Sequence, residues 1–260
     1  LDAASAGNLG GLDIQETRQA GGLDFSVVRS LTQPEPAMPE TEAVFAPQEL
    51  LRPWLLPAVY ERLQAGHGEM LTELRPAAAV FIGFSGIDYD EPVSASSQLD
   101  SFIRAVQQEA ARLDGSLLQL TVGDKGSYVY LAFGAPVSNE DDARRAVSAA
   151  AQLRKLGERF GFLRSVNIGV SQGTMRTGPY GGMQRRVYGV LGDETNLAAR
   201  LMSAAGNGQV LVSQPIRDNA GYAFSWNGLP EITVKGRSEP VALFELAEGM
   251  RSAGPRRAAE

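Results

Sequence analysis

The order of hydrophobic patterns between residues 77 and 170 restricts the possible folds of this chain more than any other feature. Four short runs of apolar and β-branched residues are typical of strands: 77–84, 117–122, 127–133 and 166–170. Two longer stretches carry apolar residues at helical spacing on one face: 99–113 and 143–153. The resulting order is strand, helix, strand, strand, helix, strand. This is the order of the split βαβ motif, and it predicts an α+β domain with a ferredoxin-like βαββαβ core.

Short sequence signals indicate where these elements begin and end. Ser97–Asp100 and Ser138–Asp141 have the Ser-x-x-Asp spacing of a capping box, so each predicts a helix start. Gly123–Gly126 predicts the turn of a hairpin between the second and third strands. Beyond the core, the pattern predicts an extra helix and C-terminal strands: a helix at 194–205 and strands at 209–212, 232–234 and 241–246.

Composition divides the chain into four segments. Residues 1–46 are rich in Gly, Ala, Glu and Pro and poor in apolar residues, which predicts a flexible, irregular linker. Residues 47–72 carry leucines and Trp54 at near-helical spacing despite two prolines, which predicts a short helical lead-in packed on the main domain. The main domain is expected over residues 73–249. Residues 250–260, with three arginines among small residues, are expected to form a disordered tail.

Charge and rare residues exclude several functions. The 260 residues carry 24 Lys and Arg against 30 Asp and Glu, a net charge of -6, which argues against a nucleic-acid-binding surface. The absence of cysteine removes disulfides and thiolate chemistry. The one histidine, His67, argues against a histidine-rich zinc site and a histidine-based triad. Any bound metal is therefore expected to be a hard cation held by oxygen ligands.

The sequence carries no membrane or secretion signal. Its longest apolar runs, such as residues 77–82, are far shorter than the ~18 to 20 residues of a membrane-spanning helix. Residues 1–7 lack the basic and apolar regions of a signal peptide, and the first residue is not Met. We therefore expect a cytoplasmic piece of a longer polypeptide that does not bind a membrane.

Residues 169–192 are dense in glycine, which suggests either a phosphate-binding loop or a long hairpin. No Lys in the chain is followed by Ser or Thr, so there is no Walker A sequence, and no strand-GxGxxG-helix unit is present. The hairpin is therefore the favoured interpretation of this stretch.

The most specific motif is the segment VYGVLGDETNLAARLM at residues 187–202. It resembles the class III adenylate and guanylate cyclases, whose strand-loop-helix motif reads roughly Tyr-x-x-x-Gly-x-x-x-Asn-x-Ala-x-Arg-Leu. The similarity extends over most of residues 76–247 and includes Gly169–Gly173 and the closing segment 231–244. The lead-in at 51–57 is similar to the one found before the cyclase domains of tandem, soluble-adenylyl-cyclase-like proteins.

Asn196 and Arg200 are the candidate catalytic residues, because they lie one helical turn apart while Leu197 and Leu201 occupy the other side. The resemblance implies that a ribose 3′-hydroxyl attacks the α-phosphate of a nucleoside triphosphate, that Asn196 orients the ribose, and that Arg200 neutralises charge in the transition state. It also implies Mg²⁺ or Mn²⁺ held by two aspartates. The partner it implies is another cyclase domain, either upstream in the same chain or a homodimer mate.

Several positions depart from the family pattern. Gly83 stands where the first metal-binding aspartate is expected, and a glycine has no side chain to bind a metal. Asp124 stands at the second aspartate position, although alone it is a weak ligand and could be an ordinary turn residue. Lys235 stands where the family often has a triphosphate-facing lysine, or in an ordinary turn. Leu120 and Gly189 replace the two residues that select the purine.

The hairpin arm carries arginines and resembles the arm through which family members dimerise; a solvated arm is the alternative. Its arginines are Arg176, Arg185 and Arg186.

Three hypotheses follow from these departures. Asp124–Gly126 resembles the second, degenerate cyclase domains of tandem soluble cyclases, in which the first domain supplies both metal aspartates and the second supplies the Asn and Arg. The first hypothesis is therefore half of a composite site that converts ATP or GTP to the 3′,5′-cyclic nucleotide and pyrophosphate, with the metals held mainly by the partner. The second is a catalytically inactive regulatory or dimerisation pseudo-cyclase domain. The third, an active homodimer, is disfavoured because Gly83 removes a ligand from both of its sites.

Overall fold

The structure, a computed structural model, describes residues 2–8, 10–32, 47–66, 72–123, 126–182, 185–232 and 240–247. The chain forms two compact units, residues 1–50 and 51–260. The sequence predictions for Asp124, Lys235 and the tail at 250–260 lie outside the described residues.

A β-hairpin lies within the first unit. After the short helix α1 (Ala3–Asn8), β1 (Leu12–Ala20) pairs antiparallel with β2 (Leu23–Leu31). Gly21 and Gly22 connect the strands with φ of 60° and 80°. Two consecutive residues with positive φ are what a type I′ hairpin turn requires, and glycine adopts that conformation without strain.

This hairpin corrects the expectation of an irregular linker over residues 1–46, which is wrong for residues 12–31. The strands were missed because almost every side chain of β1 is exposed, so no apolar alternation marks it. The sequence signal of this hairpin is the Gly21–Gly22 pair of its turn. Residues 33–46 lie outside the described part.

Short helices precede the main sheet: α2 (Gln48–Leu51), a 3-10 helix (Arg52–Trp54) and α3 (Pro57–Gln64). Pro57 opens α3, where its missing N–H leaves no helical hydrogen bond unmade. Val59 is buried, whereas Trp54 is 85% exposed. The expectation that Trp54 packs on the main domain is therefore wrong.

The main domain alternates strands and helices. Its strands are β3 (Glu73–Ser85), β4 (Ser116–Thr121), β5 (Ser127–Phe133), β6 (Ser165–Gly181), β7 (Arg186–Leu191), β8 (Val210–Ser213), β9 (Trp226–Ile232) and β10 (Val241–Leu246). Its helices are α4 (Pro92–Ala111), α5 (Asp142–Leu153), α6 (Leu156–Arg159), α7 (Asp193–Ala204) and α8 (Gln214–Asn219).

These strands form one sheet in the order β4-β5-β3-β6-β8-β10-β9, and β7 pairs with the second half of β6. β6 and β8 run parallel, and the other neighbouring strands are antiparallel. With α4 after β3 and α5 after β5, the order β3-α4-β4-β5-α5-β6 is the βαββαβ core that the hydrophobic pattern predicts. The glycine-dense stretch is the β6–β7 hairpin.

Alternate side chains of the central strand β3 enter two separate cores. Val80 and Ile82 pack with Phe102 of α4 and Val147 of α5 on one face. On the other face, Phe81 belongs to a smaller cluster with Tyr130, Met175 and Ala198 of α7. The sheet therefore carries α4 and α5 on one side and α7 on the other, and the candidate residues of α7 are on the latter side.

Two predicted helix starts differ from the structure. α4 begins at Pro92 rather than near Ser97, because Pro92 can occupy the first helical position; Ser97 lies inside the helix, and its hydroxyl donates to the Ser94 carbonyl. α5 begins at Asp142, whose carboxylate accepts from the main-chain N–H of Asn139 at 2.9 Å. α5 therefore begins after the predicted capping box at 138–141 rather than within it, and its N-cap residue, Asp141, makes no side-chain capping hydrogen bond. The helix α8 was not predicted.

Among the helices of the described ranges, none is long and apolar enough to cross a membrane.

Candidate active site

The helix α7 lies close against β6 because β6 presents small residues to it. Gly169, Ser171 and Gly173 alternate along one face of the strand. A side chain at Gly169 would clash with the Ala198 carbonyl and the Met202 amide, so here α7 packs against the strand backbone itself. This contact explains the glycine spacing and fixes the position of α7 on the sheet.

Polar contacts hold the N-terminal end of α7. The hydroxyl of Ser171, fully buried on β6, donates to the Glu194 carboxylate in the first helical turn and lies 3.1 Å from the hydroxyl of buried Ser213 on β8. The side chain of Glu194 also covers Gly173. A carboxylate in the first turn is further stabilised by the helix dipole. These contacts hold the first turn of α7, two residues before Asn196.

A buried tyrosine holds the strand that leads into α7. Tyr130 of β5 is 4% exposed, stacks on Phe81 with ring centroids 4.6 Å apart, and donates its hydroxyl to the Val190 carbonyl at 2.9 Å. Burial raises the pKa of Tyr130 to about 12, so the phenol stays protonated and remains a donor at physiological pH. Val190 comes just before the turn at Gly192, so this bond positions the entry to α7.

Asn196 and Arg200 lie one turn apart on the exposed side of α7, as predicted, while Leu197 and Leu201 are buried. In the part of the chain that the structure describes, the side chains of Asn196 and Arg200 make no hydrogen bond or ion pair. Elsewhere in the domain, exposed arginines such as Arg104 do pair with a neighbouring carboxylate. The amide and the guanidinium are thus presented together, with their donors available to a ligand.

Gly83 lies on the same side of the sheet as α7, directly opposite Asn167 of β6. A Cβ at residue 83 would lie 2.8 Å from Nδ2 and 2.9 Å from Oδ1 of Asn167, distances that real Cβ atoms do not adopt. Asn167 is held there by its Nδ2, which donates to the Met202 carbonyl of α7 at 2.5 Å. The sequence resemblance predicts an aspartate position at residue 83, but no sequence signal marks Asn167, which fills the space beside Gly83.

The described residues do not fit a two-metal site. They contain no group of three or more His, Asp or Glu side chains able to hold a metal ion. Asp88 and Asp90 are exposed in the loop after β3, and the carboxylate of Asp88 accepts the main-chain N–H of Asp90. Asp124 and Lys235 lie outside the described residues, so their predicted roles remain predictions.

Leu120 and Gly189, the positions at which the resemblance implies purine-selecting residues, differ in their surroundings. Leu120 pairs with Val129, whose side chain is in the α4 and α5 core, so Leu120 is on the face away from α7. Gly189 packs against the ring of Tyr180, 3.0 Å from where a Cβ would lie. Neither position brings a polar side chain toward Asn196.

Sequence reasoning missed two polar residues of β4 on the face that carries α7. Gln119 pairs with Tyr130, and Thr121 pairs with Tyr128; the amide of Gln119 donates to the Thr121 hydroxyl at 3.0 Å. A bulge between Leu117 and Gln119 shifts the alternation of β4, and no sequence signal marks it.

Solved structures of nucleotide cyclases share this fold. The adenylyl cyclase CyaB from P. aeruginosa superimposes with a TM-score of 0.64 and 23% identity, covering 71% of this chain and 100% of that chain. The guanylyl cyclase Cya2 superimposes with a TM-score of 0.60 and 25% identity, covering 68% and 94%.

Comparison of the amino-acid sequence also finds nucleotide cyclases. Adenylate cyclase type 10 of Rattus norvegicus is 25% identical over 177 residues, which is 67% of this chain and 11% of that protein. The chain thus spans about a tenth of the length of this relative. The family model described as "Adenylate and Guanylate cyclase catalytic domain" matches residues 77–247, more than half of the chain. The chain therefore belongs to the adenylate and guanylate cyclase catalytic domain family.

Proposed function

We propose that this domain is one half of a composite cyclase site, equivalent to the second domain of tandem soluble-adenylyl-cyclase-like proteins. It supplies Asn196 and Arg200 to a partner cyclase domain that holds most of the Mg²⁺ or Mn²⁺, and the complete site converts ATP or GTP to the 3′,5′-cyclic nucleotide and pyrophosphate. The observation that carries the proposal is an asymmetry on one face of the domain. Asn196 and Arg200 are exposed and ready to bind, whereas the position of the first metal ligand is filled.

Each residue has a role that its chemistry allows. The side-chain amide of Asn196 can both donate to and accept from a ribose, and so hold the 3′-hydroxyl in line with the α-phosphorus. The 3′-hydroxyl loses its proton to solvent as its oxygen forms the new P–O bond, while the bond from the α-phosphorus to the bridging oxygen breaks and pyrophosphate leaves with that electron pair. The guanidinium of Arg200 can donate two hydrogen bonds to phosphate oxygens while their charge increases.

The sequence relatives support a tandem arrangement. Adenylate cyclase type 10 proteins match this chain over about a tenth of their own length, which leaves room for further domains beside the matching one. This domain exposes Asn196 and Arg200, and its described residues contain no metal-binding cluster. A partner domain that keeps both metal aspartates would supply what these residues lack.

The proposal is tested by substituting Arg200 in a composite with a class III cyclase domain that carries both metal aspartates. Arg200→Ala is expected to lower kcat by roughly 100-fold or more with little change in KM, because a contact that strengthens only in the transition state affects kcat. Asn196→Ala is expected to act similarly, since a misplaced nucleophile costs roughly 100-fold.

Arg104→Ala is the matched control, because it removes an exposed arginine from α4 on the opposite face of the sheet. It is expected to leave kcat within about twofold, a change of at most ~0.4 kcal/mol in the barrier. If Arg200→Ala and Asn196→Ala leave kcat as high as Arg104→Ala does, the regulatory pseudo-cyclase interpretation replaces the composite site.

A further inference from the structure

We propose that Asn167 blocks the position at residue 83 where the resemblance implies the first metal-binding aspartate. We call this position the metal half-site of the domain. A metal is thus excluded twice: residue 83 is a glycine, and Asn167 fills the space beside it. The inference deepens the proposed function, on which it rests, because it explains why this half of the composite site can supply only the Asn and Arg. It concerns the residue that faces Gly83 across the sheet rather than Gly83 itself.

The space beside Gly83 is filled by the whole amide group of Asn167. A Cβ at residue 83 would lie 2.8 Å from Nδ2, 2.9 Å from Oδ1 and 3.1 Å from Cγ of Asn167. The neighbour on the other side of Gly83 is Tyr128 of β5, which contacts Phe81 through rings 5.5 Å apart. A side chain at residue 83 therefore requires Asn167 to leave its position.

Asn167 is not free to leave at low cost. Its Nδ2 donates to the main-chain carbonyl of Met202 at 2.5 Å, in the last turn of α7. Carbonyls in the last turn of a helix have no full set of helical partners, so a side-chain donor there stabilises the helix end. Asn167 thus joins β6 to the C-terminal end of the helix that carries Asn196 and Arg200.

The chemistry of Asn167 does not replace a carboxylate. With Nδ2 used by Met202, the amide offers a single neutral oxygen, whereas a hard divalent cation favours several oxygens and usually anionic ones. The half-site therefore lacks both the space for a side chain at residue 83 and the negative charge that a divalent cation requires. Restoring it requires two changes, and Gly83→Asp alone is expected to strain the sheet without creating a metal site.

The steric part is tested by thermal unfolding of the full 260-residue chain in a double-mutant cycle. Gly83→Ala, which adds only the Cβ, is expected to lower Tm by roughly 5 °C in the native background. In the Asn167→Ala background the same change is expected to lower Tm by less than about 1 °C, because the clashing atoms are gone. An equal loss of Tm in both backgrounds would overturn the proposal.

The chemical part is tested by Mn²⁺ titration of Gly83→Asp with and without Asn167→Ala, followed by the electron paramagnetic resonance signal of free Mn²⁺. The double variant is expected to bind Mn²⁺ at least tenfold more tightly than Gly83→Asp alone. Equal affinities in the two variants would contradict the assignment of Asn167 as the closing residue.

Neither measurement includes a nucleotide or a partner domain. Failure of the composite-site proposal in the Arg200→Ala assay would leave the Tm coupling between residues 83 and 167 as predicted. Loss of that coupling would leave the roles of Asn196 and Arg200 untouched.

Discussion

At the residue scale, the polar side chains of this domain divide into those that stabilise the fold and those that are available to a ligand. Ser171 and Ser213 are fully buried and bonded to each other, and Asp142 is 6% exposed beside the Asn139 amide. Asn196 and Arg200 are exposed, and no described residue pairs with them. Substitutions of Asn196 and Arg200 are therefore expected to affect function, whereas substitutions of the buried polar residues are expected to affect stability.

Asp142 gives a pH-dependent prediction. Its Oδ1 is buried and has no hydrogen-bond partner among the described residues, and burial raises the pKa of its carboxyl above the ordinary value of 3.8 despite the hydrogen bond from Asn139. Between 3.8 and the raised pKa the folded state binds more protons than the unfolded state, so stability falls as pH rises through that window. Asp142→Asn, which cannot ionise, is expected to remove this loss.

Urea unfolding at several pH values between 3.5 and 7 measures the effect. The unfolding free energy of Asp142→Asn relative to wild type is expected to rise with pH and to level off above the raised pKa. A difference that is constant across this range would show that Asp142 does not titrate in the folded protein as described.

At the element scale, the placement of α7 on β6 positions the site, because Asn196 and Arg200 are both carried by this helix. Gly169→Ala would force the backbones of strand and helix apart, and it is expected to lower the unfolding free energy by about 3 kcal/mol. Gly161→Ala is the matched control, since a Cβ there meets no atom within 4 Å; its effect is expected to stay within about 0.5 kcal/mol. Equal losses in the two variants would contradict the close packing of α7.

The elements differ in how much their sequences revealed. β5 and α7 were predicted almost to the residue, because β5 is a short continuous run of apolar residues, buried on both faces, and α7 carries an apolar stripe on one face. The hairpin of β1 and β2 was missed because its exposed side chains give no alternation. Asn167 was missed for another reason: its importance comes from the register of β3 against β6, which no local pattern encodes.

At the scale of the whole molecule, we expect the isolated chain to be inactive as a cyclase. No turnover of ATP or GTP above a no-enzyme control is expected with Mg²⁺ or Mn²⁺, because a second copy of this chain brings the same closed half-site. Turnover that is abolished by Arg200→Ala would show that the chain builds a complete site by itself.

Complementation between two inactive halves tests the central claim most directly. One half is this chain, and the other is a class III cyclase domain that keeps both metal aspartates but has its own Asn and Arg replaced by alanine. We expect each half alone to be inactive and the mixture to form cyclic nucleotide. The turnover of the mixture is expected to fall at least 100-fold when this chain carries Arg200→Ala. A mixture that sediments as a complex yet shows no turnover would contradict the account.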